Sequence, residues 1–158
     1  MTNTNFGGWA IEEETFNWIR NNLKDGSTIL ELGSGNGTIE LAKYYNVISI
    51  EHNEKYLNLC KNNTYIYAPL VDDFYDIQIL KKNLPKNYDL LLIDGPPGQK
   101  GARLNFLKYL ELFNLNVIII IDDINREPEL KLINELSKHL NKSYTEYQYK
   151  KKSIGIII

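Results

Sequence analysis

Short apolar runs recur along the chain, and most are bounded by glycine, proline, asparagine or aspartate. The run at residues 29–32 lies between Asp25-Gly26-Ser27 and three glycines, and the run at 88–93 is almost entirely apolar. Runs of this length and composition are typical of strands that are covered on both faces of a sheet. The pattern predicts seven strands, at residues 29–32, 47–50, 64–68, 88–93, 116–121, 144–149 and 153–158.

Between these strands, apolar residues recur every three or four positions, which indicates amphipathic helices. The first predicted helix covers residues 11–24. It carries three glutamates in its first turn, where the helix dipole favours negative charge, and Asp25-Gly26 ends it. In the last one, residues 127–141, Pro128 suits the first turn. The other predicted helices cover residues 38–45, 54–61 and 102–113, and one more follows Asp73 and ends at about Asn83.

Strands alternate with helices until the chain ends in two strands with no helix between them. Such alternation predicts parallel strands, and the final pair predicts an antiparallel closure. We therefore expect an α/β fold, a three-layer Rossmann-like sheet of seven strands, mostly parallel with an antiparallel last strand, and with helices on both faces. A length of 158 residues suits one domain, residues 1–158.

Residues 1–10 precede the first predicted helix and are expected to form a flexible N-terminal arm. The segment Phe6-Gly-Gly-Trp-Ala10 contains two aromatic residues with no obvious place in the core. One interpretation is a frayed terminus with Trp9 against the first helix, and the other is a lid over a site.

A glycine-rich stretch follows the first strand, Thr28-Ile-Leu-Glu-Leu-Gly-Ser-Gly-Asn-Gly-Thr38. Gly33, Gly35 and Gly37 would let the backbone turn sharply and let a ligand approach the peptide groups. Their spacing is G-x-G-x-G, whereas the dinucleotide fingerprint is G-x-G-x-x-G. Glu31 would repel a phosphate, so the loop suits a ligand with an ammonium group, such as S-adenosylmethionine (SAM). The alternative is an ordinary glycine-rich strand-to-helix turn.

An acidic residue, Glu51, ends the second predicted strand, 18 residues after Gly33. This is close to the ~20 residues that separate a glycine loop from the carboxylate that holds ribose hydroxyls. A carboxylate can accept both hydrogen bonds of a vicinal diol. His52 could pack against an adenine ring or simply lie on the surface. In the alternative interpretation, Glu51 or Asn53 caps the helix predicted at 54–61.

Further acidic residues follow the later strands. Asp94 ends the central strand and begins the stiff loop Asp94-Gly-Pro-Pro-Gly98, and Asp122-Asp123 ends the next strand. Ligands bind at these strand ends in open α/β sheets. Asp72 and Asp73 could cap the helix that follows them or reach an adenine amino group. Arg103, near the start of a helix, could bind an anionic substrate group or be solvent-exposed.

The stretches Ile29–Gly37, Ile50-Glu51 and Asp89–Asp94, together with the order of elements, resemble class I SAM-dependent methyltransferases. The resemblance covers nearly the whole chain from Ile11. It implies that Gly33, Ser34, Gly35 and Gly37 hold the methionine part of SAM, with Glu31 on the ammonium side. It also implies that Glu51 holds the ribose, that His52 or Leu70 contacts the adenine, and that Asp94 faces the transferred methyl group.

Within that class, Asp94, Asp122 and Asp123 look like the metal ligands of catechol-type O-methyltransferases. Those enzymes have asparagine at the place of Asp123. Three carboxylates suit Mg²⁺, which would lower the pKa of a substrate hydroxyl and position its oxygen. The alternative is that these aspartates cap helices or hold SAM. The Asp-Gly-Pro-Pro-Gly loop also resembles the Asn-Pro-Pro motif of amino-group methyltransferases, but it has an extra glycine and lacks the aromatic residue.

Composition and charge indicate which partners and which cellular location to expect. A formal net charge of −2 gives no general attraction to nucleic acid, and Lys150–Lys152 is interpreted as a solvated turn. The N-terminus has no signal-peptide pattern, and the longest apolar run, 117–121, is far shorter than a membrane helix. A lone Cys60 excludes an internal disulfide. These features predict a cytoplasmic protein that binds neither membrane nor nucleic acid, and none of them indicates an oligomeric state.

The predicted function is therefore methyl transfer from SAM to a hydroxyl of a small-molecule or sugar-like acceptor. The alternatives are an N-methyltransferase and a SAM-binding protein of the same fold without activity. Aminopropyl transfer is disfavoured, because only about 25 residues precede the first strand and these are too few for the extra N-terminal strands that such enzymes need.

Overall fold

The computed structural model describes residues 5–97 and 99–158. The described residues form nine strands, four α-helices and two 3₁₀ segments. The strands are β1 (Thr28–Leu32), β2 (Asn46–Glu51), β3 (Thr64–Tyr67), β4 (Leu70–Val71), β5 (Phe74–Tyr75), β6 (Leu90–Ile93), β7 (Ile118–Ile121), β8 (Tyr144–Gln148) and β9 (Ser153–Ile157). The helices are α1 (Glu13–Asn22), α2 (Asn36–Leu41), α3 (Ile77–Asn83) and α4 (Glu127–Leu140), and the 3₁₀ segments are Glu54–Tyr56 and Gln99–Leu112.

Seven of these strands form one sheet in the order β3-β2-β1-β6-β7-β9-β8. The first five strands in that order are parallel, and β9 runs antiparallel to both β7 and β8. The predicted fold class is confirmed. The chain moves outward from β1 to β3 and then returns to add β6 on the other side of β1, so the strand order reverses between β1 and β6. Open α/β sheets bind ligands in the crevice at such a reversal.

The sheet has a hydrophobic core on each face. Side chains alternate along a strand, so Leu30 and Leu32 of β1 join one core cluster while Ile29 joins the other. The same division continues in β6, where Leu91 and Leu90 lie in opposite clusters. The sheet is therefore a three-layer structure, and the strand ends are the places where polar side chains can meet.

Three local predictions were wrong. Residues 70–75 form a two-stranded hairpin, β4-β5, where a loop and the start of a helix were expected. Asp72 and Asp73 form its turn at φ 52° and 64°, and Asp76 caps α3 instead of either of them, by accepting a hydrogen bond of 2.9 Å from Gln78 N. The helix expected at 54–61 is limited to the 3₁₀ turn Glu54–Tyr56.

The N-terminal arm follows neither of the two interpretations completely. Residues 1–4 lie outside the described part of the chain. Trp9 is 80% exposed and is not packed against α1, where Phe6 instead contacts Phe16 at a ring-centroid distance of 5.1 Å. In the described ranges 5–97 and 99–158, we find no helix with the length and apolarity that crossing a membrane requires.

Candidate functional site

A cavity of about 290 Å³ opens at the carboxyl ends of the strands, where the strand order reverses. Its walls come from the glycine loop, the end of β2, β5, the loop after β6 and the N-terminal arm. The lining residues are Gly7, Gly8, Trp9, Ala10, Gly33, Ser34, Gly35, Asn36, Glu51, His52, Tyr56, Tyr75, Asp94, Gly95, Pro97, Arg103, Asp123 and Arg126.

The glycine loop forms one wall of this cavity because two of its glycines have no side chain to fill the space. Gly33 has φ 89°, a conformation that side chains rarely adopt, and a Cβ there would lie 3.1 Å from Asp94 O. A Cβ on Gly35 would meet no atom within 4 Å. The backbone of Gly35 therefore faces open space, in which a ligand can approach the peptide groups.

Glu51 joins the end of β2 to the glycine loop. Its Oε2 accepts a hydrogen bond of 2.8 Å from Ser34 N, and its Oε1 accepts bonds from His52 N at 2.8 Å and Asn53 N at 2.7 Å. Three backbone donors hold the carboxylate in one position at the cavity wall, although Glu51 is only 3% exposed. The structure therefore brings together the glycine loop and the carboxylate that the sequence spacing paired.

Glu31 lies beneath the loop and does not line the cavity. Thr38 Oγ1 and Ser49 Oγ both donate hydrogen bonds to its Oε2, and Gly35 N donates to Thr38 Oγ1 at 3.0 Å. Burial raises the pKa of Glu31 to about 7, an effect that the two hydroxyl donors reduce and the nearby Glu51 charge increases. In this position Glu31 is linked to the glycine loop through Thr38. Its predicted contact with the ammonium group of SAM remains a prediction.

Two other predicted cofactor residues do not line the cavity. Gly37 is buried in α2, and a Cβ there would lie 2.8 Å from Ile11 Cγ1, so this glycine permits close packing of α2 against the start of the chain. Leu70 is 38% exposed in β4. His52 does line the cavity, together with Tyr56, which was not predicted.

The three predicted metal ligands lie close together. Asp94, Asp122 and Asp123 each place a carboxylate oxygen within 4.8 Å of those of the others. Asp94 and Asp123 line the cavity, whereas Asp122 is fully buried behind them. Burial and the charge of Asp122 raise the pKa of Asp94 well above its ordinary value, and Arg103 and Lys152 partly offset that rise.

Arg103 uses all five of its N–H groups within this cluster. Nε donates to Pro96 O at 3.1 Å, one terminal nitrogen donates to Asp122 O and Asp123 Oδ2 at 3.2 Å, and the other donates to Asp94 O at 2.8 Å and Asp94 Oδ1 at 3.3 Å. The guanidinium therefore joins the ends of β6 and β7. With no N–H group left, it cannot also hold an anionic substrate, so that interpretation of Arg103 is not supported.

A second buried cation completes the cluster. Lys152 Nζ lies 2.8 Å from Asp122 Oδ2 and 3.9 Å from Asp123 Oδ1, and it also donates to Ala10 O at 2.9 Å. Arg126 adds a third positive charge, 3.3 Å from Asp123 Oδ2. Three cations thus lie against the three carboxylates, and Arg103 Nε is also 4.0 Å from Glu129 Oε1, a fourth buried carboxylate. Asp122 Oδ1 has no hydrogen-bond partner among residues 5–97 and 99–158. Asp94 Oδ1, Asp122 Oδ2 and Asp123 Oδ2 are engaged in ion pairs that a Mg²⁺ ion would have to replace, and the predicted metal site remains a prediction.

The described part of the arm forms the open side of the cavity. Gly7, Gly8, Trp9 and Ala10 line it, and Lys152 holds the carbonyl of Ala10. Sequence reasoning also missed Tyr75, because the hairpin that carries it was not predicted. Its ring is fully buried and it lies on the cavity wall.

Comparisons with solved structures define the class of fold. The chain has the fold of class I SAM-dependent methyltransferases, and solved structures of this class match it over most of its length. No protein-family model matches the sequence, and no curated protein matches it.

Three of the similar structures illustrate the extent of the match. The precorrin-6y C5,15-methyltransferase of Geobacter metallireducens is 13% identical with a TM-score of 0.61, over 96% of this chain and 90% of that one. A methyltransferase of Pyrococcus furiosus is 16% identical with a TM-score of 0.63, over 91% and 80%. The SAH-bound Podospora anserina methyltransferase PaMTH1 is 14% identical with a TM-score of 0.52, over 83% and 70%. Identities this low show a shared fold.

Proposed function

We propose that the protein is a SAM-dependent methyltransferase that acts on a hydroxyl group of a small-molecule or sugar-like acceptor. The observation that carries the proposal is the position of Glu51, held by Ser34 N of the glycine loop at the wall of an open cavity. The match in fold to methyltransferases, one of them bound to SAH, supports the same cofactor.

The residues around the cavity fit SAM. Gly33 and Gly35 leave room for the methionine part, the Glu51 carboxylate has the chemistry to accept bonds from ribose hydroxyls, and His52 and Tyr56 offer flat rings for adenine. When bound, SAM supplies an activated methyl group, and the protein has to position the acceptor and handle its proton. None of these contacts requires a charged group on the acceptor.

Asp94 is the proposed base for the acceptor hydroxyl. Its carboxylate lines the cavity, its side chain is 15% exposed, and burial keeps its pKa above the ordinary value. A carboxylate with a raised pKa is a stronger base than an ordinary one. Asp123 lines the cavity beside Asp94 and would orient the acceptor. Asp122 does not line the cavity, and its carboxylate pairs with Lys152.

A methyl-transfer assay tests the proposal. SAM labelled in its methyl group is incubated with the protein and with phenols, catechols and sugars. We expect labelled product with at least one acceptor, at the same rate in Mg²⁺ or EDTA because Arg103 and Lys152 occupy the carboxylates. We expect Asp94→Asn to lower the rate about 100-fold. Binding of SAM without transfer to any acceptor would favour the inactive binding protein, and a rate that depends on Mg²⁺ would contradict the account of the carboxylate cluster.

A further inference from the structure

The hydroxyl of Tyr75 is an unpaired polar group at the cavity. Tyr75 is 0% exposed, and its Oη has no hydrogen-bond partner among residues 5–97 and 99–158. The ring packs edge-on against Phe74 at 5.4 Å and against His52 at 6.4 Å between centroids. Buried hydroxyls nearly always have a partner, so an orphan on a cavity wall points to a partner that the cavity receives.

The surroundings of this hydroxyl belong to the cofactor side of the cavity. A Cβ built on Gly95 would overlap Tyr75 Oη and would lie 3.0 Å from Gly33 N. The hydroxyl therefore lies where the glycine loop and the loop after β6 are in backbone contact. One of the two edge contacts of its ring is with His52, which directly follows Glu51. Asp123 and Arg126 follow β7, whereas the proposed base Asp94 directly precedes Gly95 and its charge also acts on Tyr75.

We propose that Tyr75 is a cofactor-binding residue, whose hydroxyl forms a hydrogen bond with a polar atom of SAM where the molecule lies against Gly33 and Gly95. This inference rests on the proposed function, since it requires SAM in the cavity. A phenol can donate and accept, so it can pair with a ribose oxygen or with the amino-acid group. Burial and the nearby Glu51 charge raise the pKa of Tyr75 well above 10, so the hydroxyl keeps its proton at neutral pH.

Two matched variants test this role. Tyr75→Phe removes only the orphaned hydroxyl. Tyr88→Phe removes a hydroxyl from another buried tyrosine, 5% exposed, whose Oη donates to Asn114 O at 3.0 Å far from the cavity walls. For each variant we would measure the dissociation constant for SAM by calorimetric titration and the midpoint of thermal unfolding without SAM.

Tyr75→Phe should change the affinity for SAM, whereas Tyr88→Phe should change the midpoint of thermal unfolding. We expect Tyr75→Phe to bind SAM roughly 5-fold to 10-fold more weakly, the loss of about one hydrogen bond, while its unfolding midpoint without SAM stays the same or rises. We expect Tyr88→Phe to bind SAM like wild type and to unfold at a lower temperature, because it loses a satisfied bond.

Unchanged SAM affinity in Tyr75→Phe would overturn the inference. So would a lowered unfolding midpoint in that variant without SAM, because the hydroxyl would then have a partner within the protein. A wild-type protein that gives no heat with SAM would instead overturn the proposed function, so the two failures are distinguishable.

Discussion

Replacing Arg103 by methionine should destabilise the protein by about 3 to 5 kcal/mol, the usual effect of removing one partner from a buried ion pair. Methionine keeps much of the volume, but it leaves Asp94 and Asp123 without their shared cation and leaves the carbonyls of Pro96, Asp94 and Asp122 without a donor. Urea unfolding followed by circular dichroism measures this loss as a lower midpoint.

Arg126→Met is the matched control for this experiment. Arg126 also pairs with Asp123 Oδ2, at 3.3 Å, but its side chain is 43% exposed, and an exposed pair of this kind contributes at most about 1 kcal/mol. Arg103→Lys should recover only part of the lost stability, because one ammonium group cannot reach the ends of both β6 and β7. Equal losses in Arg103→Met and Arg126→Met would contradict the account of Arg103 as the clamp between these strands.

Glu31→Gln should make the protein more stable at pH 8 by up to about 3 kcal/mol. The pKa of Glu31 rises from 4.5 to about 7 in the folded protein, and each unit corresponds to about 1.4 kcal/mol. The native state holds this proton more tightly than the unfolded state, so the stability contributed by Glu31 is complete below pH 4.5 and is lost as pH rises through 7. Glutamine keeps a carbonyl that can accept the bonds from Thr38 and Ser49.

Unfolding of both proteins at pH 4.5 and pH 8 measures this effect. The difference between Glu31→Gln and wild type should be close to zero at pH 4.5 and should reach its full value at pH 8. Glu135→Gln, in an exposed pair with Lys138, should show a much smaller change. A Glu31→Gln protein that is less stable than wild type at pH 8 would show that the loop depends on an ionised Glu31.

The sheet could be predicted because its signal is local. Four-residue apolar runs such as those of β6 and β7 have few alternatives once glycine or aspartate bounds them, and alternation with helices implies that they are parallel. The antiparallel last strand followed from the absence of a helix between β8 and β9. These features depend on spacing along the chain, and the structure confirms them.

The hairpin β4-β5 could not be predicted in the same way. Its strands have two residues each, and its turn places Asp72 and Asp73 at positive φ, where asparagine and glycine are the usual signals. Two apolar pairs on either side of Asp72 and Asp73 are as typical of the capped start of a helix as they are of a short hairpin. Tyr75 was missed for this reason, since its place at the cavity depends on the hairpin.

The charge cluster could be predicted only in part. The aspartates that follow β6 and β7 meet because parallel strands end at the same edge of the sheet, and the structure brings them within 4.8 Å. Arg103 and Lys152 come from a 3₁₀ segment and from the turn before β9, 49 residues apart in the chain. Their convergence on the carboxylates is a tertiary contact without a local signal, and it places two cations beside the residues predicted to bind a metal.

Calorimetric titration with SAM, of wild type and of Glu51→Gln, tests the central claim that the cofactor is held between the glycine loop and Glu51. Glu54→Gln, on the exposed 3₁₀ turn nearby, serves as the control. We predict that wild type and Glu54→Gln bind one SAM with equal affinity and that Glu51→Gln binds it at least 10-fold more weakly, because a charge-assisted acceptor for the ribose is lost. No heat with wild type, or undiminished affinity in Glu51→Gln, would contradict the claim.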